Sequence, residues 1–473
     1  MPDVHAEAWE RESDIIFYMQ ISKWFSAMPA RSSILGFLIL IAAGTALLML
    51  PASSANSQSL GFIDALFTST SASCVTGLVV VDTGTYLSRF GQIVILGLIQ
   101  TGGLGIMTMS TLFILMGGKR LGFKERIVLQ DTFTNGRNYS IYSILKYVLI
   151  FTLIIEGTGT VCLFLRFIPV TSLSEAFYFS IFHSISAFCN AGFSLFYNSF
   201  TGYNQDWMFN LIISFMVISG GIGFLVLAEF SRKFPFKRRI WQRCSLHTKI
   251  VLSSTLILLI ISTLVLLYTE WSNTLAPLSV PNRLMAAFFQ SVSARTAGFN
   301  SIAIGNMANE TLFVLILLMF IGASPGSCGG GIKVTTFITL IALGVSRLFG
   351  YEKTFLFKRT IPEENISKAI SILLISSAVI IIAILAILTS ELGETAHTAS
   401  RGKFLELVFE VVSAFGTVGL STGITAGLSM VGKLIIIFVM FIGRLGPLVI
   451  ALAVSRRPEK SHYSYAEENI MIG

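Results

Sequence analysis

The sequence predicts an all-α polytopic membrane protein. It would have four repeats of long helix, short helix and long helix around a pseudo-fourfold axis, with eight full transmembrane spans. Three observations predict this. Of 473 residues, 53% are hydrophobic and only 12% charged, with a mean hydropathy of +0.77. A soluble domain carries about 25% charged residues, so this chain cannot cover a water-facing surface. Eight apolar runs are long enough to approach or reach the ~20 residues of a spanning helix. Four shorter, semi-polar segments alternate with them and end in near-copies of one motif.

The elements follow in order. Residues 1–32 form an N-terminal segment. Residues 3–14 (DVHAEAWERESD) mix acids with a single Arg, and no short apolar stretch with a cleavage site follows, so no signal peptide is expected. Repeat one, 33–116, holds apolar runs near 33–50 and 92–116 around the short segment 62–73. Repeat two with its linker, 117–231, holds 143–167 and 208–231 around 175–188. Repeat three, 232–349, holds 248–269 and an interrupted run 311–349 around 282–294. Repeat four, 350–454, holds 366–390 and 431–454 around 403–415, and 455–473 form a tail. The four short segments cannot span a bilayer, so they read as re-entrant or interfacial helices.

Lys and Arg exceed Asp and Glu, 33 against 25. In a soluble chain that excess suggests nucleic acid; here the positive-inside rule accounts for it. Most of the basic residues lie in the N-terminus, in the connections 117–146, 232–249 and 347–368, and in the tail. Both termini are therefore expected in the cytoplasm of a cell (inner) membrane protein, with the short helices entering from outside. The five cysteines, Cys74, Cys162, Cys189, Cys244 and Cys328, are scattered. They suggest neither a disulfide framework nor a zinc site.

The short segments end in STSASCVTGL (69–78), SISAFCNAGF (184–193), SVSARTAGF (291–299) and VVSAFGTVGL (411–420). Each has a Ser-Ala step, a small or polar stretch, and Gly followed by Leu or Phe. The third copy is one residue shorter. The aligned glycines, Gly77, Gly192, Gly298 and Gly419, are separated by 115, 106 and 121 residues. Ser, Ala and Gly are common at membrane helix interfaces, but that does not explain four copies at matching places, which are an internal repeat. Irregular backbone at membrane depth persists only when protein buries it or it lines a wet cavity. Four such loops around an axis would present rings of carbonyls able to replace a cation's hydration shell. Glycine reaches the backbone angles this needs, and the short helices' C-terminal ends favour a cation. No nucleophile, metal cluster or phosphate loop is evident, so no enzyme is expected.

SASCVTGL, SAFCNAGF, SARTAGF and SAFGTVGL resemble the four filter motifs of the Trk/Ktr/HKT superfamily of potassium transporters. The resemblance covers about residues 33–454, and eight spans resemble the Ktr membrane subunit more than the longer Trk one. It implies potassium ions held by the filter backbone of Val75, Thr76 and Gly77; Asn190, Ala191 and Gly192; Thr296, Ala297 and Gly298; and Thr417, Val418 and Gly419. In the superfamily, Gly at all four filter positions accompanies potassium selectivity, and Ser in the first accompanies sodium permeation. The resemblance also implies a homodimer in the bilayer, each protomer with its own pore. A cytoplasmic ring of RCK-type regulatory subunits (KtrA- or TrkA-like) would carry the nucleotide, with no organic cofactor in this chain.

The sixth apolar run contains IGASPGSCGGGIKVTTF (321–337). Pro removes a helical hydrogen bond and Gly weakens helices, so this span must be broken. One reading is a plain kink or loop. The other, which the resemblance supports, is an intramembrane gating loop at 322–332, built on Gly322, Ser324, Pro325, Gly326, Gly329, Gly330 and Gly331 and closed by Lys333. Arg444, in FIGRLGPLV, matches an Arg the superfamily carries in its last helix. A cation in the membrane interior costs roughly 2.5–3.5 kcal/mol on insertion scales and is functional by default. Arg444 is expected to donate to carbonyls of the 322–332 loop; the alternative is a structural pairing with an acid such as Glu229.

Other charges are weaker signals. Arg295 is expected to brace the third loop through an acid or carbonyls. Asp64 and Glu175 are expected to complement helix dipoles, with cation attraction to the outer mouth as the alternative, and Glu406 and Glu410 lie in the last short helix. Asp82, Glu391 and Glu394 either add negative potential outside or are simply solvated. His183 is expected to be a packed residue of its short helix rather than a proton relay, and Glu156 is open between coupling and structural roles. The connections 117–146 and 232–249 read equally as docking surfaces and as topology signals beside anionic lipid.

The functional expectation is potassium uptake through a channel-like pore. A sodium- or proton-coupled transporter with alternating access is the alternative, since broken helices at mid-membrane suit it too. A membrane subunit of an ATP-driven pump is a third reading, although the chain has no GxxxxGK[ST] sequence.

Overall fold

The structure is a computed structural model describing residues 29–104, 141–232, 240–396 and 398–447. Most of the N-terminal segment, most of the 117–146 connection, residues 233–239, the last residues of the second and eighth apolar runs, and the tail lie outside the described residues, as do the topology readings placed on them.

The described chain is almost wholly helical. The helices are α1 (Pro29–Leu48), α2 (Phe62–Ser73), α3 (Arg89–Gly103), α4 (Ile141–Phe167), α5 (Leu173–Phe188), α6 (Trp207–Ile222) and α7 (Phe224–Arg232). They continue as α8 (Leu246–Glu270), α9 (Val280–Ser293), α10 (Asn309–Phe320), α11 (Val334–Leu348), α12 (Glu363–Leu392), α13 (Lys403–Gly416) and α14 (Met430–Leu445). Side chains define several starts. Ser88, Ser172, Asp206, Ser245 and Ser429 each accept from a backbone N–H one turn into the helix they precede, which satisfies an orphan donor.

Three described helices are long and apolar enough to cross a bilayer: Lys146–Phe167, Leu246–Glu270 and Glu363–Leu392. Shorter apolar helices occur at Ser33–Leu48, Asn309–Phe320 and Val334–Leu348. The long helices turn bare Leu and Ile outward, among them Leu153, Leu264 and Ile382, as lipid contact requires. The four short segments emerge as α2, α5, α9 and α13, within two residues of the expected bounds.

Two elements differ from expectation. The run 208–231 is not one straight helix: α6 and α7 meet at 96°, broken at Gly223 with φ of +94°. A short hairpin, β1 (Phe355–Leu356) and β2 (Arg359–Thr360), closes the connection before α12. Phe357 and Lys358 both take positive φ there, as a two-residue type I′ turn needs.

Packing follows a circle. The helix after each short helix lies on the next short helix: α3 on α5, α6 on α9, and α10 on α13. The last, α14, returns to α2. Large fully buried phenylalanines, including Phe67, Phe188, Phe299 and Phe415, fill the space behind these helices.

Candidate functional site

The loops after α2, α5, α9 and α13 share one backbone pattern. Two residues before each glycine, a non-glycine residue takes positive φ: Val75 (56°), Asn190 (59°), Thr296 (73°) and Thr417 (48°). The glycines are positive as well: Gly77 (93°), Gly192 (72°), Gly298 (76°) and Gly419 (90°). Four branched or polar residues in a region that favours glycine store strain, which persists only where the surroundings enforce it.

The enforcing group is the serine of each Ser-Ala step. The carbonyls of Ser71, Ser186, Ser293 and Ser413 accept from the N–H groups of Thr76, Ala191, Ala297 and Val418, at 2.8–2.9 Å. Ser71 and Ser413 Oγ also accept from Gly77 and Gly419 N–H, both at 3.1 Å. Ser186 and Ser293 Oγ instead donate onward, to the Phe193 and Phe299 carbonyls. The shorter third copy keeps the carbonyl anchor by spanning one residue fewer. Sequence reasoning missed these serines as anchors, although the repeated Ser-Ala step was the signal.

The four loops meet as a ring. A Cβ placed on Gly77 would lie 2.6 Å from the Ala191 carbonyl oxygen and 3.0 Å from Gly192 Cα. One on Gly192 would lie 2.9 Å from the Ala297 oxygen and 3.1 Å from Gly298 Cα. Gly298 faces the Val418 carbonyl and Gly419 Cα, and Gly419 faces the Thr76 carbonyl and Gly77 Cα. Any side chain here strikes the backbone of the next loop, and positive φ penalises it again. Val75, Thr76, Asn190, Ala191, Thr296, Ala297, Thr417 and Val418 are all buried in this ring. Asn190 and Thr296 also touch through side chains at 3.2 Å.

The 322–332 segment lies directly against the ring. It leaves α10 and returns on itself through an Ile321–Ile332 bridge, with Gly322 N–H donating to the Ile332 carbonyl at 2.8 Å. A Cβ on Gly329 would meet the Thr296 side chain, and one on Gly330 the Thr417 side chain. Gly330 N–H donates to Thr417 Oγ1 at 2.9 Å, and Gly331 lies on Gly416. A second set of bonds knits the segment to the α6–α7 break. Ser324 N–H donates to Gly221 O at 3.1 Å, Cys328 N–H to Gly220 O at 3.2 Å, and Phe224 N–H to Gly326 O at 2.9 Å. Gly223 fits because a Cβ there would come within 2.8 Å of the Pro325 carbonyl. The sequence reading missed this seam; its signal was the GGIG run at 220–223.

Lys333 donates to the Gly329 carbonyl at 2.6 Å, closing the segment on itself. Arg444 is buried in α14 and donates to the Cys328 carbonyl, in the segment, and to the Gly102 and Gly103 carbonyls at the end of α3. It forms no ion pair among the described residues. Glu229 instead accepts from Ser245 and Thr248. The carbonyl reading of Arg444 therefore holds.

Arg295 does not. Its side chain forms no hydrogen bond or ion pair among the described residues, and its Nε is buried without a partner. That side chain therefore does not brace the third loop, which the Ser293 carbonyl holds instead. Asp64 sits in the first turn of α2 and also accepts from Lys433 of α14 at 2.8 Å. Glu175 sits in the first turn of α5 beside its cap, Ser172. Glu410 is fully buried and accepts from Ser421 and Thr425, beyond the fourth loop. Asp82 accepts from Thr85, and Glu391 from Ser429, as local turn and cap partners. His183 is packed, accepting from Leu195 N–H and stacking on Phe196. Glu156 accepts from Gln100 at 3.3 Å and lies near Cys189, behind the second loop.

Residues 15–465 match the family model described as TrkH, cation transport protein. The chain is 41% identical to Ktr system potassium uptake protein B of Bacillus subtilis, over 96% of this chain and 99% of that protein. It is 37% identical to the protein of the same name from Vibrio alginolyticus, over 97% and 98%. With potassium/sodium uptake protein NtpJ of Enterococcus hirae it shares 36%, over 94% and 97%. The crystal structure of the potassium transporter TrkH from Vibrio parahaemolyticus has the same fold. Its TM-score is 0.71 at 18% identity, covering 89% of this chain and 83% of that one.

Proposed function

The chain belongs to the TrkH family of cation transport proteins, and from that premise we propose that it takes potassium into the cell through a channel-like pore along the axis of the four loops. The observation that carries the reading is the closed ring of Gly77, Gly192, Gly298 and Gly419 with the carbonyls beside them. A dehydrated potassium ion would exchange water for those carbonyl oxygens. The filter atoms would be the carbonyls of Val75–Gly77, Asn190–Gly192, Thr296–Gly298 and Thr417–Gly419. Four helix C-termini aimed at the axis would add to the attraction.

The 322–332 segment would be the gate. It contacts Thr296 and Thr417, so it sits where an ion leaving the third and fourth loops must pass. Arg444 would hold it closed and add repulsion toward the ion. Inward flux would follow the membrane potential, worth about 2.3 kcal/mol per charge per 100 mV.

The remaining parts of the proposal rest on the relatives and on the charge pattern. Four repeats with eight spans would stand in the inner membrane with both termini cytoplasmic, divided at 33–116, 117–231, 232–349 and 350–454. The protein would act as a homodimer. Relatives named as parts of a Ktr system support a cytoplasmic nucleotide-binding partner of the RCK type. The test is flux in proteoliposomes under an imposed inside-negative potential. Potassium entry that needs no sodium supports the pore; entry that requires a sodium or proton gradient supports the coupled transporter instead.

A further inference from the structure

His183, Gln290 and Glu410 occupy one place in the repeat. His183 and Glu410 stand nine residues before Gly192 and Gly419. Gln290 stands eight before Gly298, in the copy that is one residue shorter, and Thr68 is the matching residue of the first copy. All four are polar and buried on the short helices. A buried polar group is costly unless it is hydrogen-bonded, so a polar residue in all four copies needs a reason.

Two of them reach the chain beyond their own loop. His183 Nδ1 faces the Phe179 carbonyl at 2.8 Å and must donate to it, which leaves Nε2 as an acceptor. That Nε2 accepts from Leu195 N–H at 3.2 Å and from the Ser194 hydroxyl at 3.3 Å. Glu410 accepts from the Ser421 hydroxyl and, at 3.1 Å, from the Thr425 hydroxyl. Ser194 and Ser421 each follow their glycine by two residues. In the third copy both amide atoms of Gln290 are buried without a partner, and so are Asn300 Oδ1 and Ser301 Oγ, from the second and third residues after Gly298. Thr68 instead donates to the Asp64 carbonyl in its own helix, and Val79 and Val80 follow Gly77. The second and fourth loops, pinned before the glycine by the carbonyls of Ser186 and Ser413, are therefore pinned again after it.

We propose that His183 and Glu410 are positioning residues of the ion filter. Each clamps the far end of its loop, and so fixes the spacing of the carbonyls on which ion selection depends. Gln290 carries the donors and acceptors for the same task in the third copy. Glu410 acts through its hydrogen bonds and not through attraction of its charge to the ion. The inference rests on the pore reading above.

The test compares full-length wild type and variants in proteoliposomes. It reads competing potassium and sodium uptake and, for potassium, the half-saturating concentration against the maximal rate. Glu410→Leu is expected to lower the preference for potassium about tenfold, and His183→Leu about threefold, with the half-saturating concentration moving more than the maximal rate. Glu410→Gln and His183→Gln keep an oxygen acceptor, on the side chain the third copy already uses, and are expected to recover most of the preference. Folded Leu variants with wild-type preference overturn the proposal. So does Glu410→Gln failing as badly as Glu410→Leu, which would show that the charge itself acts on the ion. If the Leu variants do not fold, Ser194→Ala and Ser421→Ala decide: each is expected to lower the preference, and wild-type preference in both overturns the clamp. A wild type that carries no potassium removes the pore reading and the clamp together. A conducting wild type with unaltered variants removes the clamp alone.

Discussion

Arg444 in α14 donates to the carbonyl of Cys328, in the 322–332 segment. The same guanidinium reaches the Gly102 and Gly103 carbonyls at the end of α3. One side chain therefore ties the proposed gate to α14 and to the end of α3.

Replacing it should loosen the gate. A hydrogen bond to a charged group contributes about 1.5–3 kcal/mol, and each 1.4 kcal/mol is tenfold in an equilibrium. Arg444→Gln is expected to raise potassium flux by about tenfold in proteoliposomes, with the protein still folded. Unchanged flux in a folded variant contradicts the role assigned to Arg444.

The seam at the α6–α7 break should be intolerant of a side chain. Gly223 has φ of +94° and would bring a Cβ within 2.8 Å of the Pro325 carbonyl. Gly223→Ala is expected to cost about 1–3 kcal/mol and to alter flux by displacing Ser324 and Gly326. A melting temperature and a flux both equal to wild type would show that the seam is not tight.

The serine anchors make a third prediction. Ser71 Oγ accepts from Gly77 N–H, and Ser413 Oγ from Gly419 N–H. Ser71→Ala or Ser413→Ala should cost about 1 kcal/mol or somewhat more, since a buried N–H loses its partner. Each should also lower the preference for potassium over sodium, measured by competing uptake of the two ions. Full selectivity would mean that the Ser71 and Ser413 carbonyls hold these loops unaided.

The pair between α14 and α2 predicts little. Lys433 and Asp64 join α14 to α2 at 2.8 Å with partly exposed side chains. Such pairs contribute about 0–1 kcal/mol. Lys433→Ala should leave uptake within about twofold of wild type, and a large loss of flux would place this pair in the ion path.

Much of this was legible from spacing alone. The four short helices and their glycines stand where the repeat puts them, because one local pattern recurs four times and each copy is punctuated by Ser-Ala and Gly. The break before Lys333 was legible because Pro and clustered Gly cannot continue a helix. The break at Gly223 was not. Gly220, Gly221 and Gly223 sit in a strongly apolar run, and what bends it is tertiary: the backbone bonds from Ser324 and Cys328. Arg295 was misread for a similar reason. Its place beside the third loop was visible, but the lack of any partner depends on which helices surround it. Glu410 and Glu391 accept from local hydroxyl and amide donors, partners that only the folded loops bring to them.

The ring of four glycines is the central claim, and one comparison tests it most directly. Potassium uptake is measured in cells lacking their own uptake systems, with wild type against Gly77→Ser. Gly77 has φ of +93° and its Cβ position lies 2.6 Å from the Ala191 carbonyl, so the substitution must disturb the first and second loops together. The account predicts that wild type restores growth at low potassium and that Gly77→Ser weakens that uptake or admits sodium. Wild-type rescue left untouched by Gly77→Ser would contradict it, and would mean that the ring is packing and the ion path lies elsewhere.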